Sequence, residues 1–430
     1  MNKIQDLYLT LKGIFMFKYT FEKNPYIKKD KIDQYQFVKL KKLLKESYKN
    51  VPYYTELFNQ INFDPTRDFN QLEDLAKVPV LDKKIVRQSP EQFYNKKLTK
   101  YLTLFTSGST GNPLKVKVSF NAWVVEQAVV WRHWKWAGYN FRDKMAIVRS
   151  YVPKDGKLVK KDKLRNFIYF SPFHINDKNS ADYLDLMKKE KVRFLRGYPS
   201  SIKALADFIR NNDYVPPKIK GILVASERLS AKDKQIIESA FNCRVYNHYG
   251  LADICVMMGS SEEDIGLHNY QDYGYLELLE YESEEKNIKR IIGTNLHNYA
   301  MPLIRYNTGD LAEVSEHSKN SVRNFPVIDN VLGRNDSAIN TVEGYRIPTV
   351  NFYTMFEYYT EIEQWQIVQK SLTEIIINIR ANGNLTELEK NILKDFQKRV
   401  PKSINLHVHF NSGFVTKNEG KIPTFISSNK

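Results

Sequence analysis

Residues 104–118 read LFTSGSTGNPLKVKV. Thr106, Ser107, Ser109 and Thr110 surround Gly108 and Gly111, Pro113 closes the run, and Lys115 and Lys117 follow at once. Glycines let successive backbone N–H groups converge on an anion, and hydroxyls add further donors around it. The run is therefore a candidate phosphate cradle; its plainer alternative is an exposed Ser/Thr turn. It is not a Walker A loop, because the glycines and the lysine are out of register with G-x-x-x-x-G-K-[ST].

Three later stretches carry complementary chemistry. YNHYGLADI (246–254) ends an apolar run with aromatics, a glycine and Asp253. An aromatic face can stack a purine, and a carboxylate can take Mg²⁺. YNTGDLA (306–312) sets Asp310 in a glycine turn, where an acid can accept from two vicinal ribose hydroxyls. GRNDS supplies Arg334 and Asp336, and EGKIP supplies Lys421. Singly, each has an ordinary reading as a turn residue or a solvated side chain.

These residues need elements to hold them. YLTLF (101–105) reads as a strand entering the first loop, and AWVVEQAVVWRHWKWAG (122–138) as a helix. Helical spacing also runs through 37–50, with Leu40, Leu43 and Leu44 on one face. The segments 145–150, 192–197, 219–226 and 243–250 read as strands ending in polar or glycine turns. Helical stretches near 180–190, 200–211 and 230–241 separate them. That alternation predicts an α/β domain with parallel-strand sheets and flanking helices. Beyond about residue 335 the pattern becomes strands at 364–369, 374–380 and 404–410 around a helix over 385–400. Thr386 and Glu389 are spaced there as a capping box. The expected organisation is a large domain over 1–335 and a small, mobile α+β domain over 336–430, joined through the polar stretch 333–340.

Composition fits this plan. The chain has 430 residues, 42% of them hydrophobic and 13% aromatic, enough for real cores and against disorder. A net charge of +16 is compatible with an acidic ligand, nucleic acid or an anionic membrane surface, but the lysines are scattered as on a solvated face. No zinc-finger spacing, RNP-like strand or basic zipper is present, so no nucleic-acid partner is expected. Cys243 and Cys255 are the only cysteines, which suits a reducing, cytoplasmic compartment. The start, MNKIQDLYLTLKGIFMF, is interrupted by Lys12 and reads as neither signal peptide nor span. Leu7, Leu9, Ile14 and Phe15 give it amphipathic character, so it either lies on the inner face of a membrane or packs on its own domain.

The order of the motifs is more specific than any one of them. From about residue 40 to the end the chain resembles the adenylate-forming superfamily of acyl-CoA synthetases and nonribosomal adenylation domains. TSGSTGNPLK resembles its phosphate loop, YGLAD its adenine and magnesium motif, and YNTGD its ribose motif. GRNDS resembles its hinge motif and NEGKIP its catalytic-lysine motif. NVPYY, RGYPSS and ASERLS resemble the phenylacetate–CoA ligase branch, and within it the CapK-like proteins of capsular polysaccharide biosynthesis.

The resemblance implies ATP-dependent activation of a carboxylic acid to an acyl-adenylate, with pyrophosphate released. The acyl group then passes to CoA or to another acceptor: a sugar, an amine or a carrier. ATP and Mg²⁺ are the implied cofactors, with CoA as a further candidate. By resemblance Thr106, Ser107, Gly108, Ser109, Thr110, Gly111 and Lys115 bind the phosphates. Ser226, Glu227, His248, Tyr249, Gly250, Asp310 and Arg334 complete the ATP/AMP site. Asp253 takes the metal, Asp336 is the hinge, and Lys421 is catalytic. SPFHI resembles the acyl-pocket motif, which assigns His174 to the acid. Two departures stand out: Asp253 replaces the usual Glu, and Ile422, Pro423 and Thr424 follow Lys421 where a basic residue is common. The rival readings are an inactive nucleotide-binding scaffold and a basic protein that binds polyanions or a membrane surface.

Overall fold

The computed structural model describes residues 3–105, 114–153, 156–227, 229, 231–263, 265–280, 287–314, 321–331, 338–349, 352, 355–356, 358–415 and 425–427. The chain divides into two compact units. One comprises residues 1–106, 114–138 and 246–334, the other 107–113, 139–245 and 335–430.

In the first unit, α1 (Lys3–Met16) lies along α5 (Phe120–Trp136). Leu9, Phe17 and Phe21 are buried, and Gly13 allows the close approach: a Cβ there would meet Gln127 Cβ at 2.5 Å. The N-terminal segment thus packs on its own domain through one face. The helix expected over 37–50 begins earlier, as α2 (Lys29–Asn50), and buries Ile32, Gln36, Leu40, Leu43, Leu44 and Ser47 at helical spacing. Two shorter helices follow, α3 (Pro52–Gln60) and α4 (Lys83–Gln88), the latter capped by Asp82, whose side chain accepts from the Lys84 N–H. β1 (Tyr101–Phe105) and β2 (Lys115–Ser119) form an antiparallel pair with Phe105 opposite Lys115. Ser119 then caps α5, accepting from the Ala122 N–H at 3.2 Å.

Two further antiparallel assemblies complete this unit. β8 (Val245–Gly250), β9 (Met257–Gly259), β10 (Leu267–Asn269) and β14 (Val327–Ile328) pair in the order β14-β10-β9-β8. β11 (Gly274–Glu280), β12 (Ile288–Asn295), β13 (Tyr306–Glu313) and β15 (Asn330–Val331) pair in the order β11-β12-β13-β15.

The second unit holds the parallel strands that the alternating pattern predicted. β3 (Met145–Val148), β4 (Val159–Asp162), β5 (Phe167–Phe170), β6 (Phe194–Gly197) and β7 (Gly221–Ala225) take the order β7-β6-β3-β5-β4. β3, β5, β6 and β7 are mutually parallel, and β4 is an antiparallel edge. Helices α6 (Asp177–Lys189), α7 (Pro199–Asn211) and α8 (Ala231–Phe241) join or follow these strands. Leu184, Met187, Ile202, Leu205 and Ile237 pack with Ala146, Ile168, Leu195 and Ile222 in one apolar core.

Its C-terminal part is an α+β sandwich. β18 (Ile362–Ser371), β19 (Glu374–Ala381), β20 (Asn405–Phe410) and β21 (Phe425–Ser427) take the order β20-β19-β18-β21. Ile375, Ile377 and Ile379, at period two on β19, are buried in one core with Leu388, Ile392 and Phe396 of α9 (Leu385–Gln397). The cap of α9 differs from the sequence reading: Asn384, not Thr386, accepts from the Glu387 N–H. Asn ranks among the best caps, and it lies one step before the first helical residue. A hairpin of β16 (Ala338–Asn340) and β17 (Arg346–Pro348) packs into the same core through Ile339 and Ile347.

Candidate functional site

The stretches of the first unit that carry the expected nucleotide residues, 246–254 and 306–312, meet at β13. Along this strand Tyr306, Thr308, Asp310 and Ala312 alternate into the interior. At Gly309 the backbone turns to φ +78°, the left-handed region that glycine enters without steric cost. The turn is self-bonded. The Gly309 N–H donates to Asn307 Oδ1 and the Asp310 N–H to Thr308 Oγ1, each at 3.1 Å, and the Thr308 hydroxyl donates to the Ile291 carbonyl at 2.9 Å. Asp310 is held there with only 8% exposure. The Tyr249 hydroxyl, at the end of β8, donates to Asp310 Oδ2 at 2.8 Å. Burial first, and then the Asp310 charge, push the Tyr249 phenol well above its ordinary pKa, so it stays a donor. Two motifs 61 residues apart thus meet through one charge-assisted hydrogen bond. His248, on the same strand, lies beside His133 with ring centroids 5.2 Å apart.

Asp253 follows β8 and is 3% exposed. Its Oδ2 accepts from Lys83 Nζ at 3.1 Å, with the lysine side chain 14% exposed. Its Oδ1 is buried without a hydrogen-bond partner. Lys83 opens α4, and a backbone tether sets its place. The Leu81 N–H donates to the Arg305 carbonyl, and the Asn307 N–H donates to the Leu81 carbonyl, both at 2.9 Å. Arg305 in turn grips Glu277 at 3.0 Å and the Ala76 carbonyl at 3.1 Å. The tether therefore docks the start of α4 against the strand that carries Asp310. The Lys83 ammonium lies 5.9 Å from the centre of the Tyr306 ring.

The turn after Asp253 is strained. Ile254 has φ +49°, a region β-branched residues rarely enter. Its carbonyl accepts from the Tyr273 hydroxyl at 3.1 Å and from the Asn295 amide, while its N–H donates to the Leu251 carbonyl at 3.0 Å. Tyr273 also bonds Glu126 on α5. Burial raises the Glu126 carboxyl to about 7, against a smaller opposing effect of Tyr273. A protonated Glu126 can donate to the Tyr273 oxygen while Tyr273 donates to Ile254. This network buttresses the turn that presents Asp253.

Apart from Lys115 of the first unit, the remaining expected residues belong to the second unit or lie outside the described residues. Val148, Gly197 and Val224 are aligned neighbours on β3, β6 and β7, so the residues that follow emerge at one edge. Ser226 sits there at φ +74° and accepts from Arg149 Nη2 at 3.3 Å. Glu227 Oε2 accepts from the Ser200 N–H at 3.0 Å, so this carboxylate caps the start of α7. His174 lies in a short turn over 172–174. Its Nδ1 is 2.9 Å from Ser171 Oγ, and its ring meets Tyr345 edge-on. Burial lowers its pKa, which favours the neutral imidazole. Lys115 is exposed on β2, 5.9 Å from the Phe105 ring. Thr106, Ser107, Gly108, Ser109, Thr110, Gly111, Arg334, Asp336 and Lys421 lie outside the described residues.

Sequence reading missed Lys83, Arg305, Ile254, Tyr273, Asn295 and Arg149. Only Lys83 carried a local signal, as the residue after the cap Asp82 in VPVLDKK. Its partner is 170 positions away.

Comparisons with known proteins bear on the whole chain. Residues 339–428 match the family model described as the CapK C-terminal domain. Protein CapK of Staphylococcus aureus is 23% identical, the match covering 96% of this chain and 93% of that protein. A phenylacetate–coenzyme A ligase of Pseudomonas putida is 26% identical over 84% of this chain and 82% of its own. Among solved structures, 2-hydroxyisobutyryl-CoA ligase in the postadenylation state superposes with a TM-score of 0.57 at 18% identity, covering 95% of this chain and 92% of that one. The same ligase in its thioesterification state gives 0.58 at 17% identity. At these identities the structural matches establish the fold, in line with the α/β architecture and small C-terminal α+β part described above. Together with the ordered motifs, these matches extend the chain's similarity to protein CapK and to the phenylacetate–CoA ligases over most of its length, on a fold shared with an acyl-CoA ligase.

Proposed function

We propose that this protein activates a carboxylic acid with ATP, forming an acyl-adenylate and pyrophosphate, and then passes the acyl group to CoA or another acceptor. The observation that carries this reading is the buried Tyr249–Asp310 bond at 2.8 Å. It ties the adenine motif to the ribose motif in one place, and a buried carboxylate is suited to accept from a vicinal diol. In the reaction the acid's oxygen attacks the α-phosphate, and the bond to the pyrophosphate oxygen breaks. Two anions must meet, so electrostatic stabilisation is the main task. Thr106 to Gly111, with Lys115, cradle the phosphates. By the same resemblance Tyr249, His248 and Gly250 contact the base, Asp310 and Arg334 hold the ribose, and Ser226 and Glu227 are further nucleotide-binding candidates. His174 borders the acid.

The residues fit a metal shared with the nucleotide. Asp253 keeps one buried oxygen without a partner, and Mg²⁺ commonly takes one or two carboxylates and finds its other ligands on phosphates and water. Among the described residues no cluster of three or more acidic, His or Cys side chains forms a closed cage. Bound with ATP, the metal supplies charge neutralisation at the phosphates. Lys83 holds the other Asp253 oxygen and keeps the carboxylate oriented.

We further propose a large domain over 1–335 and a lid over 336–430 that turns about Asp336, bringing Lys421 to the α-phosphate for adenylation and removing it for transfer. We place its work in the cytoplasm, with surface polysaccharide as one candidate destination for the acyl group. The test is ATP–pyrophosphate exchange across a panel of carboxylic acids. Acid-dependent exchange supports the reading. ADP and phosphate as products overturn it. A second reading, an inactive nucleotide-binding scaffold, draws on the Lys83 ammonium already paired with the metal acid. It requires nucleotide binding without exchange for any acid.

A further inference from the structure

α1 and the π-helical turn that continues it, Phe17–Phe21, carry two apolar rows. Leu9, Gly13, Phe17 and Phe21, four apart, face α5 and are buried. Tyr8, Leu11, Phe15 and Tyr19 form a second row at spacings of three and four, and they are 59%, 46%, 62% and 67% exposed. At about 100° per residue the two rows lie on nearly opposite sides of the helix. Single exposed apolar side chains are ordinary, whereas four on one ridge mark a surface that another phase or molecule covers.

The charge around this ridge selects the occupant. Lys12 and Lys18 flank it on either side, with their ammonium groups 5.7 Å and 5.8 Å from the Tyr8 and Tyr19 rings. Residues 3–31 hold seven lysines against three acidic residues. Phe15 and Tyr19 lie against each other with ring centroids 4.3 Å apart, which gives the ridge a continuous aromatic centre. An apolar aromatic ridge bordered by lysines matches a lipid interface. Rings enter the acyl boundary, and ammonium groups reach the headgroups on flexible stems. Among the described residues no helix is long and apolar enough to cross a membrane, so this helix can lie on a bilayer without spanning it.

We propose that the outer face of α1 and of the turn Phe17–Phe21 that continues it, centred on Tyr8, Leu11, Phe15 and Tyr19, docks this protein on an anionic membrane surface. The inner row keeps the helix on α5 while the outer row enters the interface, so docking needs no unfolding. This surface is independent of the nucleotide chemistry, and its test does not use activity. Full-length protein is sedimented with vesicles of phosphatidylcholine alone or of phosphatidylcholine and phosphatidylglycerol in equal parts. Binding is expected to the anionic vesicles, and it should weaken as salt rises from about 0.1 M to about 1 M and the screening length shrinks from about 10 Å to about 3 Å. The double variants Leu11→Ser/Phe15→Ser and Lys12→Glu/Lys18→Glu should each lower the partition coefficient at least tenfold at unchanged melting temperature. All four positions are solvent-exposed, so the fold should survive. Failure to bind, equal binding to both vesicle types, or wild-type partitioning by either variant would overturn the proposal. So would a concentration-dependent dimer in light scattering that Leu11→Ser/Phe15→Ser abolishes, since a second copy would then be the occupant.

Discussion

Replacing Lys83 by Met tests how the candidate metal acid is held. The ammonium and carboxylate are 3.1 Å apart, with side chains 14% and 2% exposed. At an effective dielectric of about 20, two unit charges at that distance attract by about 5 kcal/mol. Desolvating both ions consumes much of this, so the pair as a whole adds little to stability. Removing one partner is different, because it strands a carboxylate that has almost no access to water. The expected loss for Lys83→Met is about 3–5 kcal/mol, and Asp253→Asn should also destabilise by taking the carboxylate from a mostly buried ammonium. The double variant removes both charges and should return to within about 1–2 kcal/mol of the wild type, because a neutral pair has no stranded ion. Urea denaturation of the four proteins gives the coupling energy directly. Additive losses, with the double variant as unstable as the two singles combined, would refute the ion pair as an energetic unit. A loss under about 1 kcal/mol in Lys83→Met would show that water screens the site as it does a surface pair.

Asp310→Ala should weaken ATP binding by about 2–4 kcal/mol, because ribose hydroxyls and the Tyr249 hydroxyl would lose a charged acceptor. Unchanged affinity by calorimetry in a folded variant would remove Asp310 from the site. Lys421→Ala should slow adenylate formation roughly 10²–10³-fold while sparing acyl transfer from preformed acyl-adenylate; equal loss of both half-reactions in stopped assays would count against its assigned role. Glu126, raised from 4.5 to about 7, favours the folded state most fully below about 4.5 and loses that contribution as pH rises through about 7. Glu126→Gln should therefore flatten the fall in melting temperature between about pH 5 and pH 8, and an unaltered pH profile would show that Glu126 does not titrate in that window.

The sequence by itself determined which local elements form. Period-two and period-3.6 patterns are written in consecutive side chains, so the strands at 101–105, 374–380 and 404–410 and the helices near 122–138 and 385–400 were legible without a fold. Motif order pointed to the superfamily because spacing along the chain survives when identity falls to 23%. Boundaries were less legible. The start of α2 reaches eight residues further back than the spacing from Phe37 indicated, because packing of Ile32 and Gln36 extends it. At α9 two plausible caps competed, and Asn384 prevailed at the true end of the helix. Only tertiary structure decided what the site residues touch. The Lys83–Asp253 pair, the Arg305 tether and the Glu126–Tyr273–Ile254 buttress join positions whose separation carries no period. Long-range pairing is set by which strands lie side by side, and every such contact depends on the whole path of the chain between its partners. The same holds for the two faces of α1. Its amphipathic residues could be read from sequence, but only packing on α5 separated the row that is buried from the row that faces solvent.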